Sequence, residues 1–298
     1  MSNHSSAPTE PLADLSSSYP LTQEQIASYR RDGHVLTPGL LSADEIASYR
    51  PGLVAAVDRL DREQQGMEKL VQGKNQGWKF VQNLWERDPV ARQFVLAKRF
   101  AKGAADLMGV DAVRLFRDQS YFKEPGAGNT SWHQDGYFMP LDTEQIITLW
   151  LPLHEITPDM APMHYFNGSH RSGYLGVSGP SLESIQKFQE TTLQKGYTLH
   201  NYGHFAVGDA AFHSGWTLHG SLTNHSSRTR EALVIVYYAD GAHVRVDVPF
   251  MALIPMPEEL YATRVRRENL AQRLPGLKAG DLAASPANPL VYSKEATG

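Results

Sequence analysis

The feature that most constrains this chain is a set of β-type segments in its second half. Residues 112–123, 145–153, 204–213 and 232–240 are rich in β-branched and aromatic side chains, and Gly, Pro and Asn residues lie between them. Short runs of this composition, separated by turn residues, are typical of strands in antiparallel sheets. We therefore predict a mainly β fold with flanking helices, a double-stranded β-helix or jelly roll with cupin-like architecture.

Helical signals precede the strands. A capped helix is predicted over residues 22–31, and a second helix begins at Ser42, where Glu45 completes a capping box. Pro51 is expected to kink or break this second helix, because proline lacks the backbone N–H that the helix ladder requires. A third helical period covers residues 88–108.

The composition shows no break that would require a second domain. Residues 1–20 are polar and rich in Ser and Pro, which predicts a disordered tail, and residues 21–298 are expected to form a single domain. The polar stretch 172–203 is a candidate lid insertion with a helix at 181–194, since long excursions from a compact domain are often functional. A short charged helix is predicted near 257–272.

Composition also excludes several classes of site and partner. The sequence has no cysteine, so disulfides and thiolate metal sites are excluded and a metal must be bound by His, Asp or Glu. The net charge of −4 and the scattered Lys and Arg residues argue against a nucleic-acid partner. No run has the length of a membrane span, and the N-terminus lacks the apolar core of a signal peptide. We expect a cytoplasmic protein that acts on a small molecule, with its oligomeric state left open.

The segment SWHQDGYFMP, residues 131–140, places a histidine and an acid two residues apart. If this segment is a strand, His133 and Asp135 share one face, because alternate side chains of a strand point the same way. With a second histidine they would leave three positions open on Fe(II), which suits a chelating cosubstrate together with O₂. The pair alone is more often a surface turn or a core histidine.

Four histidines compete to be the third ligand. His204 opens a predicted strand and His225 lies in a polar turn, so both are expected to be solvated, whereas His213 and His219 flank a predicted hairpin. Arg230 stands eleven residues after His219 and enters the apolar run ALVIVYY. An arginine at the start of a buried strand requires an anionic partner.

Arginine is the side chain best suited to planar, bidentate recognition of a carboxylate. A metal with an open face beside such an arginine therefore suggests a dicarboxylate cosubstrate such as 2-oxoglutarate. Arg228 is the rival anchor, but its position in the turn SSRTR favours a solvated role.

In the order of its motifs the chain resembles the phytanoyl-CoA dioxygenase family of Fe(II)/2-oxoglutarate-dependent oxygenases. The resemblance spans about residues 21–241 and rests on five segments: LTQEQIASYRRDGHVLTPGLLSADEI, WHQDGYFMPL, TLWLPLHEITPDMAPMHYFNGSHRSG, GDAAFHSGWTLHGS and SRTREALVIVYYADG. A lone His-x-Asp pair is a weak signal, but this ordered set is a specific one.

The resemblance implies a role for each matching residue. His133, Asp135 and His219 match the iron ligands, and Arg230 matches the arginine that pairs with the distal carboxylate of 2-oxoglutarate. Four further positions resemble cosubstrate contacts in the family: Lys79, Gln119, Trp150 and Ser221. The chain departs from the family at Asn167, where proline is usual, and at His164, which we expect to face solvent.

The implied reaction is hydroxylation of an unactivated C–H bond in a small, partly apolar metabolite. O₂ is consumed, and 2-oxoglutarate is converted to succinate and CO₂. Because Asp135 is present, halogenation is disfavoured, since halogenating relatives carry Gly or Ala at that position. Two alternatives remain: a cupin-like metal lyase or isomerase, which would keep the three ligands without using Arg230, and a non-catalytic jelly-roll binding module.

Overall fold

The structure, a computed structural model, describes residues 11–68, 77–179, 181–247 and 256–295. Its α-helices are α1 (Gln23–Asp32), α2 (Ala43–Glu68), α3 (Leu84–Arg87), α4 (Pro89–Val95), α5 (Lys98–Met108), α6 (Leu182–Gln194) and α7 (Met256–Arg273). Its strands are β1 (His34–Thr37), β2 (Trp78–Lys79), β3 (Ala112–Ser120), β4 (Phe122–Lys123), β5 (Thr130–His133), β6 (Ile146–Pro152), β7 (Met163–Phe166), β8 (Leu199–Asn201), β9 (Ala210–Ser214), β10 (His219–Ser221), β11 (Ala232–Ala239) and β12 (Leu290–Ser293).

Two antiparallel sheets form the centre of the fold. The major sheet has the strand order β1-β9-β6-β11-β3-β12, and the minor sheet has the order β5-β10-β7-β8. Side chains of both sheets meet in one buried cluster, which includes Trp150 from the major sheet and Tyr165 from the minor sheet. This arrangement is the predicted jelly roll, with helices packed outside it.

Strand β11 shows why a strand of the major sheet can be apolar along its whole length. Leu233, Ile235 and Tyr237 join the cluster shared with the helices, while Val234 and Tyr238 join the cluster between the sheets. Alternate residues of a strand point to opposite faces, so a strand covered on both faces is apolar throughout. The major sheet therefore separates a helix-facing core from an inner space that the minor sheet closes.

The predicted caps of the first two helices are confirmed. Thr22 and Gln25 form a reciprocal capping box at α1, and Ser42 and Glu45 form another at α2. Of the kink or break expected at Pro51, the break is wrong, because α2 continues through it. The missing N–H costs one ladder bond, but side chains beyond Pro51 are buried in the helix-facing core and hold the helix together.

One other helical prediction needs correction. The period over 88–108 is two helices, since Asp88 caps α4 and the chain leaves helical geometry at Leu96 and Ala97 before α5. The described part of the predicted tail, residues 11–20, packs against the helices. Leu15 is buried there, and backbone groups of this segment bond to side chains of α2 and α5.

The later elements agree with prediction except at one strand. Helix α6, capped by Ser181, matches the helix predicted inside 172–203, and α7 matches the one predicted near 257–272. The strand predicted over 204–213 is limited to β9, because His204 is exposed outside any strand and the chain turns at Val207 and Gly208. In the described part of the chain no helix combines the length and apolar character needed to cross a bilayer.

Candidate active site

His133 and His219 lie side by side on neighbouring strands of the minor sheet. Strands β5 and β10 pair antiparallel, and the two histidines are direct partners in the register. Asp135 is not in the strand, contrary to the prediction, but opens a 3₁₀ turn over Asp135–Phe138. The turn is anchored by the N–H of Gly136, which donates to the carbonyl of Gly215. A strand end and a following turn, rather than strand alternation, bring the acid to the two imidazoles.

The predicted hairpin between His213 and His219 is also wrong. His213 belongs to β9 in the major sheet, and His219 belongs to β10 in the minor sheet. The chain crosses between the sheets over residues 215–218, so the two histidines approach from opposite walls of one pocket. Their ring centroids are 4.2 Å apart.

His133, Asp135 and His219 have the arrangement of a metal-binding triad. One ligand atom from each lies within 4.8 Å of the others. The Nε2 atoms of His133 and His219 are 3.4 and 3.9 Å from the carboxylate oxygens of Asp135. These separations suit three donors around one ion.

The other ring nitrogen of each histidine fixes its orientation. Nδ1 of His133 donates to the carbonyl of Ser131, and Nδ1 of His219 donates to the carbonyl of Thr217, at 2.8 and 2.9 Å. Each imidazole therefore carries its proton on Nδ1 and directs the Nε2 lone pair toward the acid. Metal-ligating histidines are held in this way by backbone carbonyls.

The charges within the triad favour the metal-binding forms of Asp135 and His219. At His133, burial acts to lower the pKa, but the hydrogen bond to Asp135 and the charge of that acid outweigh burial and raise this pKa. Burial acts to raise the pKa of Asp135, but the neighbouring imidazoles outweigh burial and hold this pKa well below its usual range. Burial and the adjacent His213 and His133 lower the pKa of His219 well below its usual value. An ionised carboxylate and a neutral imidazole are the forms that bind a cation.

Two residues that the sequence reasoning did not assign complete the surroundings of the acid. The hydroxyl of Thr148 donates to Oδ2 of Asp135 at 2.8 Å, and Nε2 of His213 lies 3.5 Å from the same oxygen. Thr148 stands two residues before Trp150 in β6, so its presence on the same face could have been predicted from strand alternation. His213 could not be separated from the other histidines without the sheet pairing.

Arg230 lies in the same pocket as the triad. It is 1% exposed, and its Nη1 donates to the carbonyl of Ala161 and, at 3.4 Å, to the hydroxyl of Ser221. The guanidinium carbon is 5.6 Å from the centre of the Trp150 ring. Burial lowers the pKa of Arg230 to about 10. Among the described residues no carboxylate lies within 4.0 Å of it, and its buried Nε has no partner.

A buried lysine shares the Ser221 hydroxyl with Arg230. Lys123 is fully buried, and its Nζ donates to the hydroxyl of Ser221 at 3.0 Å and to the carbonyl of Leu222. Burial and the charge of Arg230 lower its pKa to about 6. Sequence reasoning missed this residue, although a lysine inside the β-type run SYFK was a usable signal.

The remaining predicted cosubstrate contacts separate into two groups. Gln119 and Trp150 line the pocket together with the triad, and Ser221 adjoins Arg230. Lys79 does not line the pocket of the triad or the cavity beside it. Its Nζ donates to Asp58 at 2.8 Å, which directs the lysine toward α2.

The other histidines considered from sequence lie away from the triad. His204 and His225 are exposed, as expected. His164 was expected to face solvent, but it is half-buried, 2.8 Å from the side-chain amide of Asn201 and edge-on to the Trp132 ring. The neighbouring strand β8 covers it, because β7 pairs with β8 in the minor sheet.

Two connected cavities meet at the triad. The inner one extends from the triad to Arg230, and the outer one, of about 340 Å³, extends from the triad toward α7. Both are lined by Gln119, Tyr121, His133 and Asp135. Of the described residues in the candidate lid 172–203, none lines either cavity.

Comparison with known proteins places the chain in a family. Residues 29–232, more than half of the chain, match the family described as phytanoyl-CoA dioxygenase (PhyH). The chain belongs to the phytanoyl-CoA dioxygenase family. The matched region contains the triad and Arg230, and it agrees with the resemblance noted from the sequence.

Three relatives show what this family member is similar to. Ectoine dioxygenase of Sphingopyxis alaskensis is 25% identical over 283 residues, covering 86% of this chain and 90% of the relative. A probable alpha-ketoglutarate-dependent hypophosphite dioxygenase of Stutzerimonas stutzeri is 29% identical over 137 residues, covering 44% of this chain and only 46% of the relative. The third is the crystal structure of the non-heme alpha ketoglutarate dependent carbocyclase SnoK from nogalamycin biosynthesis. The match covers 91% of this chain and 96% of the SnoK chain. Its TM-score of 0.66 at 22% identity shows the same fold.

Proposed function

We propose that this protein is an Fe(II)/2-oxoglutarate-dependent dioxygenase that hydroxylates a C–H bond of a small metabolite in the cytoplasm. One observation carries the proposal: a buried arginine without an anionic partner shares a pocket with a His-Asp-His triad. A buried charge left unpaired costs several kcal/mol. A cosubstrate with a metal-chelating end and a distal carboxylate would supply the missing anion.

The donor set fits ferrous iron. Two imidazole nitrogens and one carboxylate oxygen form the 2-His-1-carboxylate set, which leaves adjacent positions open. His133, Asp135 and His219 would hold the ion, and iron when bound would bind the 2-oxo acid group and activate O₂. The hydroxyl of Thr148 holds the Asp135 carboxylate in place at 2.8 Å.

The residues around Arg230 position the far end of the cosubstrate. Its guanidinium is held from one side by the carbonyl of Ala161 and from another by Ser221, while Trp150 packs beside it. The buried Nε remains available for a carboxylate. A guanidinium fixed in advance loses little freedom when the cosubstrate binds, which favours both affinity and orientation.

The overall reaction balances without another co-reactant. One substrate R–H, one 2-oxoglutarate and one O₂ give R–OH, succinate and CO₂. A metal lyase or an isomerase has no use for a buried arginine in the pocket of the triad, and a binding module has no use for the triad. Together the arginine and the triad therefore favour the dioxygenase over both alternatives.

Slow conversion of 2-oxoglutarate in the absence of substrate provides a test. We expect the purified protein with Fe(II) and O₂ to form succinate, and Asp135→Ala to form none. His225→Ala is the matched control, because His225 is exposed in a polar turn and should leave the rate unchanged. A wild-type protein that binds iron but forms no succinate, alone or with a panel of metabolites, would contradict the proposal.

A further inference from the structure

The outer cavity has a polar wall and an apolar wall. Its volume of about 340 Å³ is in the range of small-ligand sites. Phe80, Phe138 and Val265 provide apolar surface. The polar lining comes from the segment between β2 and α3, from β3 and α7, and from two residues of the triad: Gln82, Arg117, Gln119, His133, Asp135, Glu268, Asn269 and Gln272. Since it opens directly onto the triad, this cavity is where a substrate would reach the metal.

Arg117 is the cation of this cavity, and its guanidinium is not satisfied by the protein. It stands two residues before Gln119 in β3, so both side chains lie on the face toward the triad. Its Nε is buried without a partner. Within the described residues its side chain makes no ion pair, and its guanidinium carbon lies 5.7 Å from the centre of the adjacent Phe116 ring.

Arg114 and Arg266, two other arginines of the same region, are held by acceptors of the protein, and Arg273 donates to Gln82 although its buried Nε has no partner. Arg114 on the same strand pairs with Asp240 and donates to the carbonyl of Asn288. Arg266 on α7 is buried and donates to backbone carbonyls of four residues, Tyr137, Leu141, Arg245 and Val246. A buried guanidinium donor without an acceptor is costly unless a ligand supplies the acceptor.

The electrostatic surroundings of Arg117 favour an anion. Burial and the charge of Arg117 lower the pKa of the neighbouring Arg273 to about 10, so two guanidinium groups lie close together. Glu268, the carboxylate on the α7 wall, is mostly exposed and lies 3.6 Å from Arg264 on its own helix. It does not neutralise Arg117.

We propose that the outer cavity binds a substrate that carries a carboxylate, and that Arg117 recognises this carboxylate while Phe80 and Phe138 contact the apolar part of the molecule. This inference rests on the proposed function, because it names the substrate class of the same site. Arg117 then recognises the carboxylate of the substrate, and Arg230 recognises the distal carboxylate of the cosubstrate.

The test compares two probes that differ only in charge. The full chain is saturated with Zn(II) and 2-oxoglutarate, and binding of N-acetylalanine and of N-acetylalaninamide is measured by saturation-transfer difference NMR, which needs no turnover. We expect the carboxylate to bind at least about tenfold more tightly than the amide, the typical value of a charge-assisted hydrogen bond. Arg117→Gln should abolish this preference, and Arg117→Lys should retain part of it.

Arg267→Gln is the matched control, because Arg267 is exposed on α7 and does not line the cavity. It should keep the full preference. Equal binding of the two probes to the wild type, binding of neither, or an Arg117→Gln preference equal to that of Arg267→Gln would overturn the inference. Calorimetric titration of the same samples with 2-oxoglutarate separates the outcomes: normal cosubstrate binding without a carboxylate preference refutes only this inference, whereas failed cosubstrate binding refutes the proposed function.

Discussion

Replacing Lys123 with methionine should stabilise the metal-free protein at neutral pH, by an amount that shrinks as the pH rises. Burial, followed by the charge of Arg230, lowers the pKa of Lys123 from 10.5 to about 6. The unfolded chain therefore binds a proton between these pH values that the folded chain excludes. Stability rises with pH wherever the unfolded state binds more protons. The contribution of this amine is most favourable above pH 10.5 and is lost progressively as the pH falls to about 6.

The magnitude follows from these two pKa values. At about 1.4 kcal/mol per pH unit, the excluded proton costs the folded state about 5 kcal/mol at pH 7 and about 2 kcal/mol at pH 9. Methionine removes this cost but takes the Nζ donor from the Leu222 carbonyl and from the Ser221 hydroxyl, which keeps its contacts with Thr130 and Arg230. The lost hydrogen bonds cost roughly 1–3 kcal/mol at every pH. The stability advantage of Lys123→Met should therefore fall by about 3 kcal/mol between pH 7 and pH 9.

Urea unfolding followed by circular dichroism at pH 7, 8 and 9, with EDTA present, measures this difference. Lys79→Met is the matched control. Hydrogen bonding to Asp58 raises the pKa of Lys79, so its favourable contribution is lost only as the pH rises above 10.5. The control should be slightly less stable than the wild type, by a constant amount from pH 7 to 9. A Lys123→Met advantage that does not change with pH, or that grows with pH, would refute the reasoning.

Three further predictions test the site and the backbone of the fold around it. Arg230→Gln should weaken 2-oxoglutarate binding about 100-fold, the cost of removing one partner of a buried charge pair. Arg228→Gln, in the exposed turn, should change this binding less than about twofold. Similar effects of the two variants in calorimetry would argue against Arg230 as the residue that binds the distal carboxylate. His213→Phe should lower Fe(II) affinity roughly 10- to 100-fold without abolishing binding, because Nε2 of His213 is 3.5 Å from the carboxylate of Asp135. Unchanged affinity in a metal-competition titration would show that this contact does not contribute to iron binding. Gly208→Ala should cost more than about 3 kcal/mol, since φ is +93° and an added Cβ would lie 1.9 Å from a backbone carbonyl. Gly241→Ala, at φ +91° with open space around it, should cost far less in thermal unfolding.

Local chemistry made much of the fold predictable. Thr22 and Ser42 cap helices through bonds to residues three positions away, so both ends could be inferred from short segments. Strand β11 could be inferred because a strand buried on both faces is apolar throughout. The continuation of α2 past Pro51 could not be inferred, because the packing that holds this helix involves residues distant in sequence.

Site residues that lie within one short motif could be predicted, whereas contacts that depend on the packing of the two sheets could not. His133 and Asp135 are two residues apart, and the family resemblance singled out His219 from its neighbours. Lys79 was expected at the cosubstrate, but its ion pair with Asp58 depends on how α2 packs. Lys123 was overlooked because its contacts to Ser221 and Leu222 join segments about 100 residues apart.

We propose that His133, Asp135 and His219 hold one ferrous ion in reach of a cosubstrate bound to Arg230. Anaerobic addition of Fe(II) and 2-oxoglutarate to the purified protein, followed by visible absorption, tests it most directly. We predict the weak charge-transfer band of a chelate in the wild type and in His225→Ala, and no band in His219→Ala. A band that survives in His219→Ala, or its absence from iron-loaded wild-type protein, would contradict the account.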